Sequence, residues 1–278
     1  MRFLVYAPGI YDPRGGGCIA LHKLAHNIAT LTGHCYIYTD SMNPNYKGSK
    51  LCLYDACQMA RCDNTMVIYP EVTVGNPLGA DHITRWILYH VRDYGQHGVF
   101  SDTDLIYKYA PYFKLRFEQE VTGQLRAVEL NLDLWKDWGK ERKGACYLRK
   151  KSGREKADIH PEGSLQIDDY PEKGGFDYLV KVFNECEYFY SYDSATWLSI
   201  MAALCGCKSI VVPDPNTTPD EWYSGFPYFF YGIAYGVDEL PRAMQTQQFM
   251  REHLRRLEEM TLNETREFIV NCKIKMGI

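Results

Sequence analysis

One stretch constrains this chain more than any other: Phe189–Pro215, FYSYDSATWLSIMAALCGCKSIVVPDP. It reads as strand, hydroxyl-rich turn, buried helix from Ser194 to Cys205, and strand. Apolar runs lie at both ends, and Ser191, Tyr192, Asp193, Ser194 and Thr196 crowd the corner between them. A helix start rich in N–H groups and hydroxyls is suited to an anion. It is equally the start of an ordinary N-capped helix in an α/β core.

The same grammar runs through the chain. Phe3–Ala7 is an apolar strand of the kind covered on both faces. Leu21, Leu24, Ala25, Ile28 and Leu31 follow at helical spacing, Gly33 ends that helix, and Cys35–Thr39 is a second strand. Turn residues dominate Asn43–Lys50. Cys52–Arg61 reads as helix, and Met66–Tyr69, Arg85–Tyr89 and Leu105–Tyr109 as strands. Asn131–Gly144 is charged and irregular, the expected linker. A second series follows: strands Ala145–Leu148, Ser164–Ile167, Glu187–Ser191 and Ser209–Val212, with a helix over Phe176–Asn184. Gly206 stops the buried helix. Pro219–Gly236 reads as an aromatic, glycine-rich loop. Pro241 suits a helix's first turn, and Thr261-x-x-Glu264 is a capping box for the last helix. Alternating strands and helices predict parallel, doubly wound sheets. The expected domains are 1–140 with helix 258–278 returning to it, and 141–257.

Composition narrows the function classes. The 278 residues carry a net charge of −4, against a nucleic-acid partner, which calls for a basic face. No run approaches the ~20 apolar residues of a membrane span. The start lacks a signal-peptide pattern, so the chain reads as cytoplasmic and its two Asn-x-Thr sequons as silent. The ten cysteines include no C-x-x-C pair, so buried reduced thiols are expected rather than a zinc site.

Five constellations bear on chemistry. Gly15-Gly16-Gly17-Cys18-Ile19-Ala20 fits G-x-G-x-x-A, with Asp40 ending the next strand. Seven residues, Pro8–Arg14, separate it from the first strand, whereas the dinucleotide fingerprint needs a tight turn. A phosphate or sugar contact, a plain turn and nicotinamide binding all remain open. Asp102-Thr103-Asp104 could hold a divalent cation, yet it precedes an apolar run and reads better as a turn. His22 and His26 share a helix face without the acid that a metalloprotease motif requires, so packing or surface roles are expected. His90, with Arg92, ends a strand, and Arg149-Lys150-Lys151 ends another; such edges border ligand crevices in open α/β sheets. A cation–phosphate hydrogen bond there is worth about 1.5–3 kcal/mol.

Taken together, YDPRGGGCIALHKLAHNI, VIYPEVTVGNPLGADHITRWILYH, CYLRKK and YDSATWLSIMAALCGCKSIVVPD resemble the GT-B glycosyltransferases. More narrowly, they resemble a sugar-nucleotide-dependent subgroup from bacterial surface-polysaccharide clusters and some large algal viruses. The likeness spans about Met1–Ala243. It implies two Rossmann-like domains facing each other across a cleft, and a metal-independent transfer from a UDP- or GDP-linked sugar to a glycan hydroxyl, with no cofactor besides the nucleotide sugar. Carried over, Arg149 and Lys150 clamp the diphosphate, and Tyr192, Ser194 and Thr196 add donor contacts. Gly15, Gly16 and Gly17 let the first loop approach the donor, and His90 and Asp193 serve the transferred sugar. The family's two glutamates, eight apart, align with Asp193 and Met201; Met201 cannot accept a ribose hydrogen bond. A metal-dependent transferase using Asp102 and Asp104, a nicotinamide oxidoreductase and a non-catalytic glycan-binding module stay as alternatives.

Overall fold

The computed structural model describes residues 1–91, 98–129, 131–149 and 156–278. The chain divides into two compact units, Met1–Glu129 with Leu257–Ile278, and Leu130–Arg256. Both are α/β, and each is built on one wholly parallel sheet.

The first unit runs β1 (Arg2–Tyr6), α1 (Gly16–Thr32), β2 (Cys35–Tyr38), β3 (Ser49–Leu51), α2 (Leu53–Ala60), β4 (Thr65–Pro70), β5 (His82–Ile87), β6 (Leu105–Lys108) and β7 (Gly123–Gln124). Its strand order is β3-β2-β1-β4-β5-β6-β7. The order reverses between β1 and β4, the topological switch point where ligands of such sheets bind. Alternation along β1 sends Phe3 and Val5 to a core shared with Leu21, Leu24 and Ile28 of α1, and with Phe268, Ile269 and Cys272 of the last helix. Leu4 points the other way, to Val67, Tyr69 and to Ala56 and Ala60 of α2. Covering both faces is what the apolar reading of this strand requires.

The second unit runs β8 (Ala145–Leu148), β9 (Leu165–Gln166), α3 (Phe176–Glu185), β10 (Tyr188–Ser191), α4 (Leu198–Leu204), β11 (Lys208–Val211), α5 (Pro219–Gly225), β12 (Ile233–Tyr235) and α6 (Leu240–Thr246). Its order is β12-β11-β10-β8-β9, reversing between β8 and β10. Tyr190 pairs in register with Tyr147 on one side and Ile210 on the other. Tyr190, Ile210 and Val212 pack with Ala234 and Ala243 on one face.

Several expectations are corrected. α7 (Met250–Met276) is continuous, so Thr261 caps nothing. It is buried inside the helix and donates to the Glu258 carbonyl, while Glu264 is taken by Arg126. The actual capping box is Thr218–Glu221, opening α5 with Pro219 in its first turn. The supposed 219–236 loop therefore contains a helix and a strand. β3 takes up the last two residues of the turn-rich stretch Asn43–Lys50. Residues 131–144 pack on the second unit rather than linking loosely: Trp135 meets Phe176 at 5.4 Å, and Arg142 donates to the Phe183, Asn184 and Cys205 carbonyls at the ends of α3 and α4.

Candidate functional site

The carboxyl edge of the second sheet, around its switch point, carries Arg149, Tyr192, Asp193, Ser194 and Thr196. Arg149 directly follows β8. Its N–H donates to Asp168 at 3.1 Å, its guanidinium is ion-paired with Asp158, and its head lies 4.2 Å from the Tyr192 ring centre. Tyr192 directly follows β10 and is fully buried. Its hydroxyl accepts the Ile159 N–H at 3.1 Å and lies 2.6 Å from His160 Nδ1. The His160 ring stacks on Tyr147 at 3.9 Å. Burial, and then the Arg149 charge, lower its pKa.

Ser194 is at the centre of a second network. Its Oγ donates to Asp214 at 2.8 Å and accepts from Lys156 Nζ at 3.3 Å. Lys156, with a side chain only 4% exposed, also pairs with Asp214 at 3.1 Å and donates to the Val212 carbonyl at 2.7 Å. Trp222 Nε1 holds the Ser194 carbonyl, and the Tyr235 hydroxyl holds the Asp214 N–H. The turn is thereby fixed by groups from four segments of the chain.

The helix after this turn starts later than the sequence indicates. It begins at Leu198, not Ser194, and is seven residues long. The reason is local. The Asp193 carboxylate accepts the Ala195 N–H at 3.0 Å, and Thr196 Oγ1 accepts that of Leu198 at 3.3 Å. These side chains satisfy N–H groups that an anion would otherwise meet, and they hold the backbone in turns. Ser194, Asp193 and Thr196 thus belong to a side-chain-bonded turn, not to a helix N-terminus. Met201 lies within α4, half-buried. Lys150, Lys151, Arg154 and Arg92 lie outside the described residues.

In the first unit the glycines are placed differently from expectation. Gly15 is the N-cap of α1, and Gly16 and Gly17 are its first two residues, so they do not form a loop clear of the helix. None has a positive φ. A Cβ on Gly16 would meet nothing within 4 Å, and one on Gly17 would come no nearer than 3.7 Å to Leu88. The described fold does not itself require glycine at either position. Nine residues separate β1 from α1, so the tight turn of the dinucleotide fingerprint is not made.

His90 does not end a strand: β5 stops at Ile87. Its Nδ1 accepts the Lys114 N–H at 3.1 Å, which assigns the proton to Nε2. Its ring meets Tyr89 and Phe113 at 5.0 and 5.3 Å. Burial, followed by the Lys114 and Lys108 charges, lowers its pKa, so the ring is neutral near pH 7. The Asp104 side chain is 2% exposed and accepts from Arg85 Nε at 2.8 Å, and its N–H closes a turn on Ser101. That carboxylate is committed to a buried ion pair. His26 Nδ1 accepts the Lys47 N–H at 2.9 Å; His22 is buried.

Four residues of this edge were missed from sequence: Lys156, Asp158, His160 and Asp214. Asp214 had a signal, since it follows β11 in VVPDP at a strand's carboxyl end. The 156–160 segment had none, because only tertiary structure brings it to the sheet.

Among the described residues, no group of three or more His, Cys, Asp or Glu side chains is placed to hold a metal ion. No described helix is long and apolar enough to cross a membrane. The ten cysteines are all unbridged. No family model matches the chain, and no curated protein does. Among solved structures, it is similar to an alpha-glucosyltransferase in complex with UDP and a 13-mer DNA containing a central A:G mismatch. That match has 10% identity and a TM-score of 0.45, over 97% of this chain and 95% of that one. A likeness of this size assigns no residue and no ligand.

Proposed function

We propose that the protein is a glycosyltransferase of the GT-B type, moving a sugar from a UDP- or GDP-linked donor to a glycan hydroxyl without a metal ion. The observation that supports this reading best is the carboxyl edge of the second sheet. There, at the switch point, a guanidinium (Arg149), a hydroxyl-rich turn (Tyr192–Thr196) and a buried ammonium (Lys156) stand together. Cations fixed at such an edge would stabilise charge developing on a departing nucleoside diphosphate. Arg149 and Lys150 would hold the diphosphate. Ser194 would do so only by exchanging its bond to Asp214, and Thr196 and Tyr192 would shape the turn. Asp193 would accept from sugar hydroxyls. Within the first unit taken by itself, Gly15–Gly17 would serve a phosphate or sugar contact, and His90 would donate from Nε2 to a sugar hydroxyl.

Calorimetry with UDP, GDP and their sugars tests the reading. Binding that is lost in Arg149→Ala/Lys150→Ala supports it; no binding, or binding unchanged in that variant, overturns it. A second reading draws on the first sheet, whose order β3-β2-β1-β4-β5-β6 is that of dinucleotide-binding folds. A nicotinamide oxidoreductase would bind NAD(H) with its adenosine near Asp40. The open β1–α1 connection argues against it, and titration with NADH decides.

A further inference from the structure

Residues 156–160 cross the carboxyl edge of the second sheet, and four of the five bond to groups of the proposed donor site. Lys156 is the anchored end: its ammonium is buried and bonded to Val212, Ser194 and Asp214. Asp158 is paired with Arg149. Ile159 and His160 both meet the Tyr192 hydroxyl, and His160 lies flat on Tyr147. The chemistry of these contacts is that of a ligand. A carboxylate occupies the guanidinium that a phosphate oxygen would use, and a planar ring covers an aromatic face.

The two charged contacts of the segment differ in exposure. The Asp158 side chain is 63% exposed and that of Arg149 33%, against 4% for Lys156. A partly exposed pair exchanges partners at little cost. A diphosphate, with more charge than one carboxylate, would displace Asp158, and Asp158 left in place would repel it.

We propose that the 156–160 segment is an internal competitor. It is a strap, anchored at Lys156, whose Asp158 carboxylate holds Arg149 and must move aside for a nucleoside diphosphate to bind. The inference rests on the nucleotide site proposed above and adds the regulation of that site.

The test is calorimetry of the full chain with inorganic pyrophosphate and with UDP. Asp158→Asn keeps the shape and removes the charge. It should bind both ligands about two- to fivefold tighter than the parent, the factor a partly exposed ion pair is worth. Arg149→Ala/Asp158→Asn should lose that gain. Hydrogen exchange gives a second readout: the Ile159 amide, bonded to Tyr192, should exchange faster when UDP is added. If the parent binds UDP and Asp158→Asn binds no tighter, or if UDP protects Ile159 further, the strap is overturned and the nucleotide site stands. If neither protein binds either ligand, the nucleotide site itself falls, and the strap with it.

Discussion

Glu264, in the middle of the last helix, accepts the backbone N–H of Arg126 at 2.9 Å and its Nε at 2.8 Å. Both side chains are largely buried, 9% and 14% exposed. The pair fastens α7 to the chain just beyond β7, where Leu125 and Ala127 enter the core of the first unit. Glu264→Gln keeps the shape and removes the charge, leaving a buried guanidinium without its carboxylate. The expected cost is about 3 kcal/mol. In urea unfolding followed by circular dichroism and fluorescence, the transition of the first unit should move to lower denaturant. A second-unit transition, where resolved, should stay in place.

Gly206 turns the chain from α4 into β11 with φ +88°. A side chain there would be strained in backbone, and its Cβ would collide with the Asp137 carboxylate and the Arg142 guanidinium. Arg142 is the group that bonds the carbonyl ends of α3 and α4. Gly206→Ala therefore combines a left-handed alanine, about 1–2 kcal/mol, with displacement of that arginine. Thermal unfolding should fall by more than about 5 °C. A variant within 1 °C of the parent would show that the Arg142 cap is dispensable.

The opening glycines of α1 predict the opposite behaviour. Gly16 has no steric need to be glycine, and glycine is a poor helix residue. Gly16→Ala should stabilise the protein by about 0.5–1 kcal/mol. If the position is glycine so that a donor can come close, the same variant should weaken nucleotide-sugar binding or turnover several-fold. Greater stability with unchanged binding would assign the triple glycine to a helix start with no ligand.

The sequence showed the layered α/β architecture well because that rests on local patterns. The apolar runs of β1, β4, β8 and β10 mark strands covered on both faces, and Gly33 and Gly206 punctuate the helices at positive φ. What it hid depends on contacts distant in sequence. Thr261 and Glu264 match a capping box by spacing, yet the helix continues through them because Leu257, Thr261, Thr265, Phe268 and Cys272 recur at helical spacing and are all buried. The start of α4 was misplaced because Asp193 and Thr196 compete for backbone N–H groups. Ser194 and Arg149 stand out in the sequence, but their partners Asp214, Lys156 and Asp158 do not, because they lie 9–38 residues away.

His22 gives the chain an acid-sensitive point. It is 1% exposed, and neither ring nitrogen has a hydrogen-bond partner among the described residues. The rings of Tyr11 and Tyr46 face it at 4.7 and 6.4 Å. Burial lowers its pKa from 6.5 to about 4, so the folded protein binds this proton less readily than the unfolded chain does. The stability linked to it is complete above pH 6.5 and is lost as the pH falls through that value toward 4. The loss comes to about 3 kcal/mol. His22→Leu removes the titrating group and fills the same apolar space. The stability difference between pH 7 and pH 4, measured by urea unfolding, should be about 3 kcal/mol smaller in this variant than in the parent. Equal pH dependence in the two proteins would mean that protonated His22 finds a partner in the folded state.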